Sequence, residues 1–243
     1  MKLVAESITK KYGAKTALDG FSYTFHPGIY GLLGPNGAGK STLIGIITTG
    51  LKASTGRLLF NGEDTRSLGR RYRRCIGYMP QHQKLYEDFS LRRYLYYISA
   101  LKGLTRAEAD TGVDNAIHAV NLWEVRDDAI GTFSGGMKQR SLLAQAILGN
   151  PGIVVMDEPT VGLDPLERIH FRDLVSTIAG EKIIIIATHI VSDLEKLASE
   201  IIFLNKGVIP ESGPLSELTE KYRDTLADPS LEQIYMHLGL ESH

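Results

Sequence analysis

Apolar residues along this chain recur in short runs separated by turn residues. Runs at 3–8, 21–25, 29–33, 57–60, 76–79, 153–156, 183–187 and 201–204 are rich in the β-branched and apolar residues that strands favour. Ile183-Ile184-Ile185-Ile186 and Ile153-Val154-Val155-Met156 contain no polar position, which predicts parallel strands covered by helices on both faces. The early runs alternate more and carry Tyr12-Gly13 and Pro27-Gly28 turns, which suits an antiparallel flap. Between 90 and 149 the strand signal almost vanishes. Ser90 precedes Leu91, Tyr94, Leu95, Ile98 and Leu101, a helical spacing. Thr105-Arg106-Ala107-Glu108 is a capping box opening a helix toward Ala119. A third helix is expected from Met137 to Leu148, stopped at Gly149-Asn150-Pro151.

These patterns describe one mixed α/β domain over residues 1–243. Its α/β core and antiparallel flap take residues 1–89 and 150–210, and a helical subdomain at 90–149 is inserted before the strand at 153. Pro229 and the segment beyond it close the chain with a C-terminal helical appendage, set at 211–243. Composition narrows the possible functions. With 43% hydrophobic and 23% charged residues, the chain has ample material for a core. A net charge of −1 gives no broad steering toward nucleic acid or anionic lipid, so no nucleic-acid partner is expected. The single cysteine, Cys75, excludes an internal disulfide. No apolar run reaches the ~18–20 residues of a membrane span, and Met1-Lys2-Leu3 opens no signal peptide. A cytoplasmic location is expected, with any membrane span supplied by a partner.

The candidate chemistry begins at Gly34-Pro35-Asn36-Gly37-Ala38-Gly39-Lys40-Ser41-Thr42, a phosphate-binding loop between an apolar run and a helical segment. Gly34, Gly37 and Gly39 are expected in conformations that a Cβ makes costly, letting successive N–H groups converge on oxygens. Lys40 supplies a charge for the β and γ phosphates and Ser41 a hydroxyl for Mg²⁺. The helix from Ser41 to about Thr49 would add its positive dipole end. Together these residues imply a nucleoside triphosphate ligand. A second constellation is the run Ile153-Val154-Val155-Met156 ending in Asp157-Glu158-Pro159. Strand ends gather ligands in open parallel sheets, so both carboxylates are expected to face the phosphate loop. Asp157 suits Mg²⁺, and Glu158 suits orienting or deprotonating a water. The third is Phe133-Ser134-Gly135-Gly136-Met137-Lys138-Gln139-Arg140, whose serine and free N–H groups at a helix start offer a further phosphate site.

With Gly162-Leu163-Asp164-Pro165, these three motifs resemble, in order and over essentially the whole chain, the nucleotide-binding ATPase subunit of ATP-binding cassette (ABC) transporters. The resemblance implies a P-loop NTPase (RecA-like) core with a mixed sheet, an N-terminal antiparallel β subdomain and an inserted α-helical subdomain. It implies that Tyr12 stacks on adenine and that Gln81, in Met79-Pro80-Gln81, touches Mg²⁺ and the attacking water. It further implies that His189 contacts the γ-phosphate and that Asp164 couples two sites across a dimer. Family members pair head to tail, as homodimer or heterodimer, so Ser134, Gly135 and Gly136 would meet ATP held by the other copy. The metal set would be Ser41, Gln81 and Asp157; the catalytic set Glu158, His189, Gln81 and Lys40; a transmembrane permease subunit would complete the transporter. A soluble cassette in iron–sulfur assembly or cell-wall signalling is the alternative.

Family members often carry Leu-Ser-Gly-Gly-Gln, where this chain has Phe133 and Met137. Methionine cannot return a hydrogen bond to a serine cap, so Met137 is expected to pack against neighbours. Phe-Ser-Gly-Gly-Met and Pro159-Thr160-Val161-Gly162-Leu163-Asp164-Pro165 resemble the subunits of bacterial ABC-2-type exporters, which places the chain nearer export of drugs, antibiotics or lipid-linked material than nutrient uptake. The helix after Ser90 has two apolar faces, one with Leu91, Leu95 and Ile98, the other with Tyr94, Tyr97 and Leu101. The second face, with Tyr86 and Phe89, is expected to line a groove for a cytoplasmic helix of the membrane subunit.

Overall fold

The structure is a computed structural model in which residues 1–226 and 229–240 are described. Ala227, Asp228 and 241–243, the remainder of the expected C-terminal appendage, lie outside the described residues. The strands are β1 (Leu3–Tyr12), β2 (Lys15–Phe25), β3 (Gly28–Leu33), β4 (Thr55–Phe60), β5 (Glu63–Asp64), β6 (Ile76–Met79), β7 (Ile153–Asp157), β8 (Ile183–Thr188), β9 (Glu200–Phe203) and β10 (Ser212–Pro214). The helices are α1 (Lys40–Ile47), α2 (Thr65–Leu68), α3 (Arg70–Arg74), α4 (Leu91–Lys102), α5 (Arg106–Ala119), α6 (Gly135–Ile147), α7 (Pro165–Ala179), α8 (Val191–Glu195), α9 (Leu215–Tyr222) and α10 (Leu231–His237).

Two sheets organise the chain. An antiparallel sheet has the order β2-β1-β4-β5, and a six-stranded sheet the order β10-β9-β3-β8-β7-β6. In the larger sheet β9, β3, β8, β7 and β6 run parallel and β10 returns antiparallel beside β9. The segment from 211 therefore begins with a strand, and helices follow it. A three-residue run of Ser, Gly and Pro carries no apolar pattern, which hides such an edge strand in the sequence.

The unbroken apolar runs have a physical cause. Side chains alternate faces along a strand, and here each face meets its own core. Val154 and Met156 of β7, with Ile184 and Ile186 of β8, pack into one hydrophobic cluster with α4, α5, α6 and α7 residues such as Leu95, Ile117, Leu143 and Phe171. Ile153 and Val155, with Ile183 and Ile185, pack into a second with Leu43 and Ile47 of α1 and Leu3 and Ile8 of β1. Between β6 and β7, the segment at 90–149 folds as α4, α5, α6 and two short 3₁₀ turns. Thr105 accepts from the Glu108 N–H while the Glu108 carboxylate accepts from the Thr105 N–H, closing the capping box read from the sequence. Tyr94 departs from the expected two-faced helix: it is fully buried with Leu91 and Leu95, leaving Tyr97 and Leu101 outside. Its hydroxyl explains the burial, because it bonds inward to Gln145 and Gln83.

Candidate functional site

Parallel register brings four strand ends to one edge. Leu33 of β3 pairs with Thr188 of β8, Asp157 of β7 with Ala187 of β8, and Met79 of β6 with Met156 of β7. The chain segments that leave these ends must emerge side by side. They are the phosphate loop after β3, Glu158 after β7, His189 after β8 and Gln81 after β6. A cleft of about 490 Å³ lies there, lined by Tyr12, Lys15, Ala17, Pro35, Asn36, Gly37, Gly39, Lys40, Ser41, Thr42, Gln81, Asp157, Glu158 and His189. A larger cavity of about 640 Å³ lies between α5, the end of α6 and the end of α7, and holds none of the expected site residues.

The loop is shaped by its glycines in two different ways. Gly37 and Gly39 have φ of 80° and 115°, the left-handed region in which a Cβ is strained. Gly34 has no such φ; a Cβ there would stand 2.1 Å from the Leu204 carbonyl oxygen. Its requirement is close approach to the backbone just past β9, a correction to the conformational reading. Lys40 is buried at the start of α1, and its ammonium donates to the Gly34 carbonyl at 2.5 Å and the Pro35 carbonyl at 3.2 Å. Burial holds its pKa below the ordinary lysine value, with Glu158 and Asp157 pulling the other way.

Asp157 and Glu158 are both buried. Burial, then the neighbouring Glu158 charge, raises the Asp157 pKa above the usual carboxylate value, against the Lys40 and His82 charges. Glu158 stands at φ 49°, left-handed for a residue with a full side chain, a conformation that persists only where surrounding contacts over-determine it. Those contacts are present. Its N–H donates to Ala187 O at 2.7 Å, Thr188 Oγ1 donates to Oε2 at 2.9 Å, and His189 Nδ1 lies 2.9 Å from Oε1. Tyr12 is half exposed at the tip of β1, with the Lys10 ammonium 4.9 Å from its ring centre.

Other expected residues lie elsewhere. Gly34 and Ala38 belong to the loop but do not line the cleft. Ser134 caps α6, its hydroxyl accepting from the Met137 N–H at 3.2 Å, so the helix begins two residues before Met137. Met137 packs partly buried against the helical core. Gly136 is covered by Glu167: a Cβ there would meet the Glu167 carboxylate oxygen at 2.2 Å. Asp164 is exposed and caps α7, accepting from the Leu166 and Glu167 N–H groups. Neither the Ser134-Gly135-Gly136 segment nor Asp164 lines the cleft in this single chain.

Sequence reasoning missed Thr188, Thr160, Asp193, Arg172 and Gln139. Thr188 carried a signal, since it ends an apolar strand directly before His189. Thr160 and Gln139 stand inside recognised motifs but carry no role of their own there, and Arg172 and Asp193 carry no local signal, because the contacts that matter join positions 20 to 33 residues apart.

Ser41, Gln81 and Asp157, each of which carries an oxygen donor, all line the cleft, and hard divalent cations such as Mg²⁺ prefer oxygen ligands. Among the described residues no group of three or more His, Cys, Asp or Glu side chains forms a metal cage.

Residues 18–161 match the ABC transporter family. The chain is 35% identical over 212 residues to the Nod factor export ATP-binding protein I of Burkholderia thailandensis, covering 86% of this chain and 70% of that protein. It is 34% identical over 221 residues to the linearmycin resistance ATP-binding protein LnrL of Bacillus subtilis, covering 90% and 71%. Against ABC transporter A family member 1 of Dictyostelium discoideum it is 36% identical over 90% of this chain, yet spans only 25% of that relative's length. A solved ATP-binding subunit of an ABC transporter superposes with a TM-score of 0.84 at 26% identity, covering 98% of this chain and all of the other.

Proposed function

This chain belongs to the ABC transporter family as an ATP-binding, ATP-hydrolysing domain, and from that premise we propose that it dimerises on ATP and drives a separate membrane subunit in export. The observation that carries the reading is the meeting of Lys40, the Asp157–Glu158 pair and His189 around one cleft at the carboxyl edge of the sheet. Lys40 and the loop N–H groups hold the phosphates, and Tyr12 offers its half-exposed ring to the base. Ser41, Gln81 and Asp157 would hold Mg²⁺, which when bound offsets phosphate charge. Glu158, its carboxylate fixed by Thr188 and His189, orients the attacking water. His189, its ring exposed beside Glu158, would contact the γ-phosphate.

The dimer reading is supported by what the cleft lacks within one chain. Ser134 presents its hydroxyl and the α6 N-terminus at the surface, away from the cleft, where a second copy's nucleotide would meet them. Asp164 lies exposed at the start of α7, suited to contact across the same interface. The membrane partner is supported by the aromatic cluster that exposed Tyr86 and Tyr97 form with the partly buried Phe89 beside the Gln81 loop. No helix among the described residues is long and apolar enough to cross a membrane. Driving a membrane subunit from ATP would place the chain peripherally on the cytoplasmic face. Export is favoured by relatives named for Nod factor export and linearmycin resistance. The non-transport alternative has no such support among those names.

Calorimetric titration of ATP into the folded chain with Mg²⁺ present tests the reading. Binding heat that Lys40→Ala abolishes is expected; a folded sample that binds no nucleotide overturns it.

A further inference from the structure

We propose that Asp193 is a positioning residue for ATP hydrolysis, clamping the loop that carries Glu158 to the loop that carries His189 through Thr160 and Arg172. The proposal rests on the roles given to Glu158 and His189 above. Asp193 is 5% exposed and Thr160 3%. Thr160 Oγ1 donates to Asp193 Oδ2 at 2.6 Å, and Arg172 Nη1 stands 3.5 Å from Asp193 Oδ1. Thr160 is two residues beyond Glu158, Asp193 is four beyond His189 in α8, and Arg172 is on α7. One carboxylate thus ties together three separate segments.

Its chemistry argues for placement over stability. Taking a carboxylate and a guanidinium out of water costs nearly what their attraction returns, so apolar side chains of similar volume would serve a core as well. A fully satisfied buried network instead fixes a unique geometry. The Glu158 loop needs such fixing, because Glu158 is held in a left-handed conformation that relaxes unless its neighbours prevent it. The following residues are pinned on both sides. Gln139 of α6 donates to the Pro159 carbonyl at 2.5 Å, and Asp193 holds the Thr160 hydroxyl. Releasing Thr160 loosens the backbone behind Glu158, so the carboxylate that Thr188 and His189 hold is aimed less well at the water, while Lys40 and the phosphate loop are untouched.

Thr160→Val keeps the side-chain shape and removes the hydroxyl; Thr160→Ser keeps the hydroxyl. Turnover, KM, calorimetric ATP affinity and the melting temperature are measured for both. The expected result is a kcat about tenfold or more lower in Thr160→Val, since small misplacements near the chemistry cost up to ~10²-fold. ATP affinity and KM should hold within about twofold, and Thr160→Ser should recover kcat. Asp193→Asn, of the same shape, should lower kcat likewise and serves if Thr160→Val does not fold. Wild-type kcat in Thr160→Val or in Asp193→Asn, or a loss that follows melting temperature in every variant, overturns the proposal. A wild-type chain that neither binds nor hydrolyses ATP defeats instead the hydrolysis reading itself.

Discussion

His189 Nδ1 lies 2.9 Å from Glu158 Oε1, while the other oxygen of the same carboxylate accepts from Thr188 Oγ1 at 2.9 Å. Two residues from one strand end therefore hold a carboxylate from the adjacent strand end. In Glu158→Gln an amide replaces one carboxylate oxygen, so the side chain can stay in place but no longer accept a proton. Turnover should fall by about 10²–10⁴-fold, the usual contribution of a general base. ATP affinity should hold, because Lys40 and the loop amides are unchanged, and the closed dimer should accumulate. Phosphate release and size-exclusion chromatography with ATP check both halves, and unchanged turnover removes Glu158 from the mechanism.

Gly34 and Gly37 share one motif but should respond unequally to the same substitution. A Cβ at Gly34 stands 2.1 Å from the Leu204 carbonyl oxygen, and Leu204 is itself tied down by its N–H, which donates to Leu33 O at 2.7 Å. Backbone would have to move, so Gly34→Ala should cost about 3 kcal/mol or more. At Gly37 nothing lies within 4 Å, and the cost is the left-handed φ of 80° alone, about 1–2 kcal/mol. Urea unfolding of the two variants gives the order directly; equal costs would contradict this account of the loop.

The contrast also shows which parts of the molecule were legible in the sequence. Apolar runs such as Ile183-Ile184-Ile185-Ile186 report burial on both faces, and the core divides their side chains between two clusters. The capping box at Thr105 and Glu108 is a local pattern of four residues, and it forms as written. The motifs at 34–42 and 157–158 announced a nucleotide site, because each is a contiguous stretch whose chemistry is local. What stayed hidden depends on distance along the chain. Gly34 needs Leu204, Thr160 needs Asp193, and Gln139 needs the Pro159 carbonyl. No spacing rule joins such pairs before the sheet is assembled. Strand β10 was invisible for another reason: Ser-Gly-Pro pairs through backbone alone.

Lys102 gives the fold a pH dependence of defined sign. Its ammonium donates to Leu148 O at 2.7 Å at the end of α6, and burial brings its pKa down to about 8. An unfolded lysine titrates near 10.4. Below about pH 8 both states are charged and the burial penalty is fully present. Between about 8 and 10.4 the unfolded chain holds a proton that the folded chain has released, so stability from this group rises with pH. The gain is at most about 1.4 kcal/mol for each pH unit. Urea unfolding of wild type and Lys102→Met at pH 7 and pH 10 should show the difference moving in favour of wild type at the higher pH. A difference that stays constant would show that Lys102 keeps its charge throughout.

Tyr86 is the most direct test of the membrane partner. Its ring is half exposed, stacked on Phe89 with centroids 5.2 Å apart and meeting Tyr97 edge-on at 5.5 Å. Below it Tyr94 is buried and bonded to Gln83 and Gln145, so the cluster rests on a floor tied to the segment just after Gln81. Exposed apolar patches of this kind on a globular surface mark interaction sites, and aromatic residues dominate the energy of such contacts. Tyr86→Glu would force a partner helix to desolvate a carboxylate, while none of the cleft-lining residues changes. Co-purification with a membrane subunit encoded by a neighbouring gene should fall at least about tenfold, equivalent to about 1.4 kcal/mol, and calorimetric ATP affinity should hold. Assembly at wild-type level with Tyr86→Glu would move the docking site away from this patch.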